Sequence, residues 1–240
     1  MIHPSIPTNL QIIRERIEAA ARRSGRDPRE IELVAVSKKH PPEQIREAWD
    51  SGQELFGESR VQEALVKIPL LPSNLRWHFI GHLQSNKIRK MLPLFELIHG
   101  VDQLQTARDL DRIGGELGML PRVLLEVNIS GEPSKKGFDP KALEQIIEEM
   151  LSMPRLQVEG LMTMAPLAGE AESSRPYFSG LRDLRDQLAQ KTGIPLATLS
   201  MGMSGDFEIA VEEGATLCRV GSSIFGELLR NEKFPLIENF

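Results

Sequence analysis

The chain has 240 residues, of which 40% are hydrophobic and 26% charged, as in ordinary soluble globular proteins. Its formal net charge of −5 excludes a general basic surface for nucleic acid or an anionic membrane. The single cysteine, Cys218, excludes an internal disulfide and a cysteine-rich metal site. No apolar run approaches the roughly 20 residues that a membrane helix needs. We therefore expect a cytoplasmic protein that binds neither nucleic acid nor membrane.

The first half of the chain alternates between strand and helix patterns after one leading helix. Thr8 is predicted to cap that helix and Gly25 to end it. Residues 31–38 form an apolar run that predicts a strand buried on both faces, and Pro41-Pro42 begin the next helix. Further strands are predicted at 54–59, 77–83 and 97–102, each followed by an apolar stripe at helical spacing.

The second half continues the alternation. Asp139 is predicted to cap the sixth helix of the chain, with Pro140 as its first residue. Strands are predicted at 122–129, 158–164, 198–203 and 216–220, and the last helix at 222–229. Eight strands alternating with helices predict an α/β fold, a single (β/α)8 TIM barrel with an extra N-terminal helix. A doubly wound open sheet is the alternative, but Lys38–Pro41 is not the glycine-rich loop which that fold carries. No linker divides the chain, so we expect one domain over residues 1–240.

A lysine stands at the carboxyl end of the first predicted strand. Lys38 follows the apolar residues 33–36 directly, at the end of the strand where α/β folds place their chemistry. An exposed lysine at a strand end is common and needs no function. The other end of the chain makes a functional role more plausible.

Two loops rich in glycine and serine follow the last two predicted strands. The first contains Ser200, Gly202 and Ser204, and the second runs from Arg219 through Gly221 and Ser222 into a helix. Small residues allow close backbone approach, and free N–H groups at helix starts favour an anion. Each serine alone could be an ordinary helix cap. Two such loops side by side in a barrel predict a phosphate site.

The lysine and the phosphate loops together fit an aldehyde that carries a phosphate group. Pyridoxal 5′-phosphate (PLP) forms a Schiff base with lysine and needs a partner for its ring nitrogen, for which Arg219 is a candidate. Other phosphorylated ligands fit the loops equally well, including the substrate of a Schiff-base aldolase. The residues alone therefore indicate a Schiff-base or phosphate-ligand barrel.

Several separated motifs make the sequence resemble the PLP homeostasis proteins over nearly its full length. They occur in that family's order and include Ala35–Lys38, Phe56–Glu58, Val61–Glu63, Trp77–Lys87, Val127-Asn128, Ser130–Glu132, Ser134-Lys135, Gly160–Met162, Leu199–Ser204 and Arg219–Gly226. The resemblance implies a barrel like the N-terminal domain of alanine racemase.

The resemblance also implies the roles of individual residues. Lys38 matches the lysine that carries PLP, and Arg219 matches the residue that faces the pyridine nitrogen. The phosphate is implied to be held by four residues, namely Ser200, Ser204, Gly221 and Ser222. Lys135 matches a second reactive lysine of the family. Ser59 stands where the family has asparagine, which puts any cofactor contact of that residue in doubt.

The alanine racemase likeness raises the alternative of a PLP-dependent amino-acid racemase. Racemisation needs acid–base groups on both faces of the cofactor and a strong electron sink. Arg219, always charged, would disfavour a proton on the ring nitrogen, and the single tyrosine, Tyr177, is expected far from the barrel mouth. The chain also has no room for the second domain of alanine racemase. We therefore predict a monomeric, non-catalytic protein of intracellular PLP homeostasis, which stores the cofactor on Lys38 and delivers it, with apo PLP-dependent enzymes as possible recipients.

Two histidines are candidate metal ligands. His78 and His82 lie four residues apart in the predicted third strand, hence on one face. A histidine that faces a barrel core is more often hydrogen-bonded than bound to zinc. The sequence therefore predicts no metal site.

Overall fold

Eight parallel strands close into a barrel in the computed structural model, which describes residues 5–166 and 170–226. Spatial order follows chain order, and the last strand pairs with the first, so that Val34 lies opposite Arg219. The strands are β1 (Glu32–Val36), β2 (Leu55–Glu58), β3 (Arg76–Phe79), β4 (Leu97–Val101), β5 (Arg122–Glu126), β6 (Gln157–Met162), β7 (Thr198–Ser200) and β8 (Leu217–Val220). This confirms the predicted (β/α)8 barrel.

Helices follow the strands around the outside of the barrel. They are α1 (Ile6–Arg23), α2 (Pro42–Asp50), α3 (Val61–Lys67), α4 (Ile88–Met91), α5 (Leu104–Leu117), α6 (Pro140–Leu151), α7 (Arg175–Thr192), α8 (Phe207–Glu212) and α9 (Ser222–Phe225). Single 3-10 turns cover Pro28–Glu30, Ile68–Leu70, Ser85–Lys87, Leu92–Leu94 and Ala171–Ser174. The leading helix α1 packs against α8 and α9, and Asn9 donates from Nδ2 to the Ile224 carbonyl oxygen at 2.9 Å. The extra helix therefore covers the seam where the barrel closes.

The barrel interior changes character along its axis. Ion pairs join Arg76 to Glu32 and Glu96, and Arg122 to Glu96 and Glu159, at or near the amino ends of the strands. A hydrophobic layer follows, formed by Val34, Leu55, Leu97, Leu124, Met162 and Leu217. Polar side chains then occupy the carboxyl end, so the chemistry lies where this fold ordinarily carries it.

Several predicted element boundaries are corrected. Strand β1 ends at Val36, so Lys38 lies in the turn after the strand and not within it. Helix α1 begins earlier than predicted, because Ser5 is its cap and accepts a hydrogen bond from the Thr8 N–H group at 3.5 Å. Strand β3 ends at Phe79, so His82 is not on the same strand face as His78. Residues 227–229 of the predicted last helix lie outside the described residues.

The predicted cap of α6 is confirmed. Asp139 caps α6 by accepting a hydrogen bond from the Ala142 N–H group at 3.0 Å. Cys218 is fully buried, and burial raises the pKa of its thiol to about 12. In the described part of the chain, no helix is long and apolar enough to cross a membrane.

Candidate functional site

Lys38 lies at the carboxyl end of the barrel in a tight turn. Its side chain is exposed, whereas the preceding Ser37 is fully buried. The following Lys39 has φ of 65°, a left-handed conformation that is uncommon for residues other than glycine. Pro41 and Pro42 then begin α2. The turn therefore presents the Lys38 amine at the barrel mouth from a fixed backbone.

The two predicted phosphate loops meet beside this turn. The hydroxyl oxygen of Ser204 accepts hydrogen bonds from the backbone N–H groups of Gly221 at 3.3 Å and Ser223 at 3.4 Å. A Cβ added to Gly221 would lie 3.2 Å from the Val36 carbonyl oxygen, so glycine lets this loop approach β1 closely. Ser222, the first residue of α9, is exposed.

Arg219 points into the barrel from β8 and is almost completely buried. Its Nη1 donates to the hydroxyl oxygen of Ser200, and its Nη2 donates to the carbonyl oxygen of Thr163 at 3.0 Å. Burial lowers the pKa of Arg219, which the nearby carboxyl of Glu126 partly offsets. The structure therefore brings Ser200 to the guanidinium of Arg219, and Ser204 to Gly221.

Two histidines extend this network toward the amino end of the barrel. His99 Nδ1 lies 2.9 Å from the Ser200 hydroxyl oxygen, and His99 Nε2 lies 3.0 Å from His78 Nδ1. Burial lowers the pKa of His78 to about 4, and it lowers the pKa of His99 well below its ordinary value. Both imidazoles are therefore neutral near pH 7, as expected for hydrogen-bonded core histidines.

A second group of titratable side chains lies at the mouth, at the carboxyl end of β5 and in the loops after β3 and β4. His82 Nδ1 lies 3.1 Å from Asp102 Oδ2, and the other oxygen of Asp102 is buried without a hydrogen-bond partner in the described residues. Burial, followed by the charge of Asp102, raises the pKa of Glu126 to about 7. Within the described residues, no group of three or more histidine, cysteine or acidic side chains could hold a metal ion.

Lys135 and Ser59, singled out by the sequence, lie in different surroundings. Lys135 Nζ donates to the Met164 carbonyl oxygen at 3.3 Å and lies 3.7 Å from Glu132 Oε1. Ser59 follows β2, and a Cβ on Gly81 would lie only 2.2 Å from its carbonyl oxygen. Glycine at position 81 is therefore required for the approach of these two backbones.

These residues fit a phosphate-bearing aldehyde. A hydroxyl oxygen held by two backbone N–H groups marks a place that an anionic oxygen can take. The exposed Lys38 follows the neighbouring strand, β1. The buried Arg219 lies in β8, two residues before Gly221. The backbone N–H groups suit a phosphate, the Lys38 amine suits an aldehyde, and the Arg219 guanidinium suits a ring nitrogen.

Comparison with known proteins identifies the family. Residues 8–228 match the family described as "Alanine racemase, N-terminal domain". A protein of Aquifex aeolicus (strain VF5) named "Pyridoxal phosphate homeostasis protein" is 43% identical over 91% of this chain and 96% of its own length. The chain belongs to the pyridoxal phosphate homeostasis protein family.

Solved structures agree with this membership in the family. PipY of Synechococcus elongatus PCC7942, solved with PLP bound, is 44% identical and superposes with a TM-score of 0.78 over 89% of this chain and all of its own. An alanine racemase of Clostridium difficile 630 gives a TM-score of 0.71 at 16% identity, covering 96% of this chain and 57% of its own. The second likeness concerns the fold alone, and it confirms the predicted alanine racemase-like barrel.

Three buried polar residues of the barrel, namely His99, Glu126 and Lys67, were not predicted from the sequence. Glu126 ends an apolar strand, which is the same signal that pointed to Lys38. His99 lies in the middle of β4, where a polar side chain in an apolar strand predicts a buried partner. Lys67 is fully buried, which is unusual for a lysine. Its position on the same helix face as Val61 and Ala64 is the sequence pattern that could have predicted this burial.

Proposed function

We propose that this protein binds PLP at the carboxyl end of its barrel and contributes to PLP homeostasis by storing and delivering the cofactor. Support comes from relatives above 40% identity that carry the name "Pyridoxal phosphate homeostasis protein", and from PipY with PLP bound. The residues of the mouth have the chemistry that such a ligand needs.

The observation that carries this proposal is the adjacency of Lys38 and the Gly221 loop. Strands β1 and β8 are hydrogen-bonded neighbours, with Ala35 opposite Val220. Lys38 follows one strand and Gly221 follows the other, so an amine and a pair of converging backbone N–H groups share one corner of the mouth. A ligand with an aldehyde and a phosphate on one small ring can engage both.

Each residue has a proposed role. Lys38 is the amine that bonds to the cofactor, whose aldehyde supplies the electrophilic carbon. Ser204, Gly221 and Ser222 hold the phosphate, and Arg219 faces the pyridine nitrogen. Ser200 is proposed to hold the phosphate with those three residues, as the resemblance implies, and because it accepts from Arg219 we propose that it also orients that guanidinium. The proposal includes no metal.

We also propose that the protein is not a strong catalyst. Arginine has donors only and stays charged, so it gives the pyridine nitrogen a hydrogen bond without a proton. An unprotonated ring withdraws electrons weakly, which disfavours carbanion chemistry. His82, Asp102 and Glu126 are acid–base groups at the mouth and are the observation that favours the alternative, an amino-acid racemase.

The proposal extends to the location of the protein, its oligomeric state and the recipients of PLP. We propose a cytoplasmic monomer that passes PLP to apo-enzymes. Size-exclusion chromatography with light scattering measures the oligomeric state directly.

The test is the absorbance spectrum of the purified protein before and after PLP is added, followed by borohydride reduction and peptide mapping. We expect a yellow protein with the reduced adduct on Lys38. Lys38→Ala should lose the covalent adduct and keep weaker binding through the phosphate. Lys39→Asn is the matched control, because it removes the neighbouring amine and asparagine tolerates the left-handed conformation. A wild-type protein that takes up no PLP would refute the proposal, and turnover of an amino acid would favour the racemase.

A further inference from the structure

The backbone that carries Lys38 is held on both sides by charged side chains of α3. Lys67 Nζ donates to the Ser37 carbonyl oxygen at 3.0 Å, which belongs to the peptide group before Lys38. Glu63 Oε2 accepts from the Lys39 N–H group at 2.9 Å, which belongs to the peptide group after Lys38. Both peptide groups that flank the Lys38 α-carbon are therefore bonded to one helix.

The charged side chains also bind one another below the turn. Lys67 Nζ lies 2.7 Å from Glu58 Oε1 and 3.6 Å from Glu63 Oε2. Glu58 Oε1 accepts a further hydrogen bond from the Ser37 hydroxyl at 2.8 Å. The side chains of Lys67 and Glu58 are completely buried, and that of Glu63 is 9% exposed. We call these four residues, Ser37, Glu58, Glu63 and Lys67, the turn clamp.

Stability alone is a poor reason for the turn clamp. The free energy lost by removing two charges from water is about as large as the free energy gained from their attraction. Apolar side chains of similar volume therefore often stabilise a core equally well. Burial raises the pKa of Glu58 even beside Lys67, which marks the cost of placing a carboxylate there. What apolar side chains cannot do is bond the peptide groups on both sides of Lys38.

The conformation of the turn points the same way. Lys39 is one of two residues other than glycine with positive φ among the described residues. Such a conformation is unfavourable for a lysine and persists where surrounding bonds determine it. The N–H group that Glu63 holds is that of Lys39 itself.

We propose that Lys67 and Glu63 are positioning residues that orient Lys38 for bond formation with the aldehyde of PLP. The inference rests on the proposed function of Lys38 as the cofactor-binding amine. Bond formation requires the amine to approach the aldehyde carbon in a narrow range of distance and angle, and a displacement of about 1 Å can cost about 100-fold in rate. The residues proposed to hold the phosphate lie on the loops after β7 and β8, whereas the turn clamp lies on β2, on α3 and in the turn after β1.

The experiment separates the rate of capture from affinity. Capture is followed by stopped-flow absorbance after PLP is mixed with the protein, and affinity by calorimetry with pyridoxine 5′-phosphate, which has the phosphate and ring but no aldehyde. For Lys67→Met we expect capture to slow by about 10-fold or more, with affinity for pyridoxine 5′-phosphate within about twofold of wild type. Lys90→Met, on the exposed face of α4, is the control and should change neither quantity.

Glu63 offers a matched pair of variants that leaves Lys67 in place. Glu63→Gln keeps an acceptor oxygen for the Lys39 N–H group, whereas Glu63→Ala removes it. We expect Glu63→Gln to capture PLP within about threefold of wild type and Glu63→Ala to be slower by about 10-fold. If Lys67→Met fails to fold, this pair decides the question.

Two outcomes would overturn the inference. Unchanged capture by both Lys67→Met and Glu63→Ala would refute a positioning role. A parallel loss of capture and of affinity for pyridoxine 5′-phosphate would indicate general loosening of the barrel mouth instead. Failure of the proposed function is distinguishable from both, because the wild-type protein would then form no borohydride-stable adduct at Lys38.

Discussion

Arg219 and Ser200 face each other inside the barrel, with Nη1 of the arginine 2.5 Å from the serine hydroxyl oxygen. Arginine can only donate, so the serine oxygen accepts and its own proton is free to go to His99 Nδ1. In the His99 tautomer whose Nδ1 accepts that proton, Nε2 carries the imidazole proton and donates to His78 Nδ1. Arg219 therefore fixes the direction of its own hydrogen bond to Ser200, and the tautomer of His99 sets the direction of the other two.

Ser200→Ala should destabilise the fold. The substitution leaves a donor of buried Arg219 and the Nδ1 acceptor of His99 without their partner, and such losses cost about 2 kcal/mol in unfolding free energy. Urea denaturation followed by circular dichroism measures the difference. Ser134→Ala, in an exposed loop, is the control and should leave the unfolding free energy unchanged. Equal stability of the two variants would contradict the network described here.

Ser204→Ala should weaken phosphate recognition specifically. The hydroxyl lies where two backbone N–H groups converge and can donate to a bound phosphate oxygen, a charge-assisted bond worth about tenfold in affinity. Equilibrium titration should therefore give about tenfold weaker binding of PLP and unchanged binding of pyridoxal, which has no phosphate. Ser223→Ala keeps its backbone N–H group and is the matched control. Equal weakening for both ligands would place the phosphate elsewhere.

Glu126→Gln should flatten the pH dependence of stability. Burial raises the pKa of folded Glu126 from 4.5 to about 7, so the folded state holds a proton that the unfolded state has released between these values. The contribution of Glu126 to stability is therefore fully present below pH 4.5 and is lost as the pH rises through 7, by up to about 3 kcal/mol at 1.36 kcal/mol per pKa unit. Urea denaturation of Glu126→Gln at pH 5 and pH 8 should give a smaller loss than in the wild type.

His78 acts in the opposite direction and must be measured beside Glu126. Burial lowers the pKa of His78 from 6.5 to about 4, so its contribution is fully present above pH 6.5 and is lost as the pH falls through 4. The two slopes oppose each other between pH 4.5 and 6.5. A loss of stability from pH 5 to pH 8 that is identical in wild type and Glu126→Gln would argue against the raised pKa of Glu126.

Lys135 should not be the main site of adduct formation. Its Nζ donates to the Met164 carbonyl oxygen at 3.3 Å and lies 3.7 Å from Glu132 Oε1, so bonding to an aldehyde would first have to break both contacts. With one equivalent of PLP, borohydride trapping and peptide mapping should therefore recover Lys38, and Lys135→Ala should leave the yield unchanged. Modification shared equally between the two lysines would contradict this ranking.

Much of the fold followed from local pattern. The parallel strands are buried on both faces and read as short apolar runs, and Asp139-Pro140 and Gly193 delimit their helices by ordinary capping chemistry. Strand ends were predicted too long, as at 77–83, because the apolar residues Ile80 and Leu83 continue the pattern beyond Phe79, the last paired residue of the strand.

Less of the site could be predicted. Lys38, Ser204 and Arg219 follow from strand ends and loop composition, but the partners of buried polar side chains depend on contacts between distant strands. Ser200 and His99 are in contact although they lie 101 positions apart in the sequence, and no local sequence pattern predicts such a pair. The turn clamp was missed for another reason, since lysine is ordinarily exposed and Lys67 is an exception that only tertiary contacts justify.

The hydrophobic layer between the two ends of the barrel has an electrical consequence. Its six side chains separate the arginine–glutamate ion pairs near the amino ends of the strands from Arg219 at the carboxyl end. The charges of Glu96, Arg76 and Arg122 contribute to the pKa of His78. His78 and Arg219 contribute to the pKa of His99. The charges at the amino ends of the strands therefore act on His78, and hydrogen bonds join His78 through His99 and Ser200 to Arg219 at the carboxyl end.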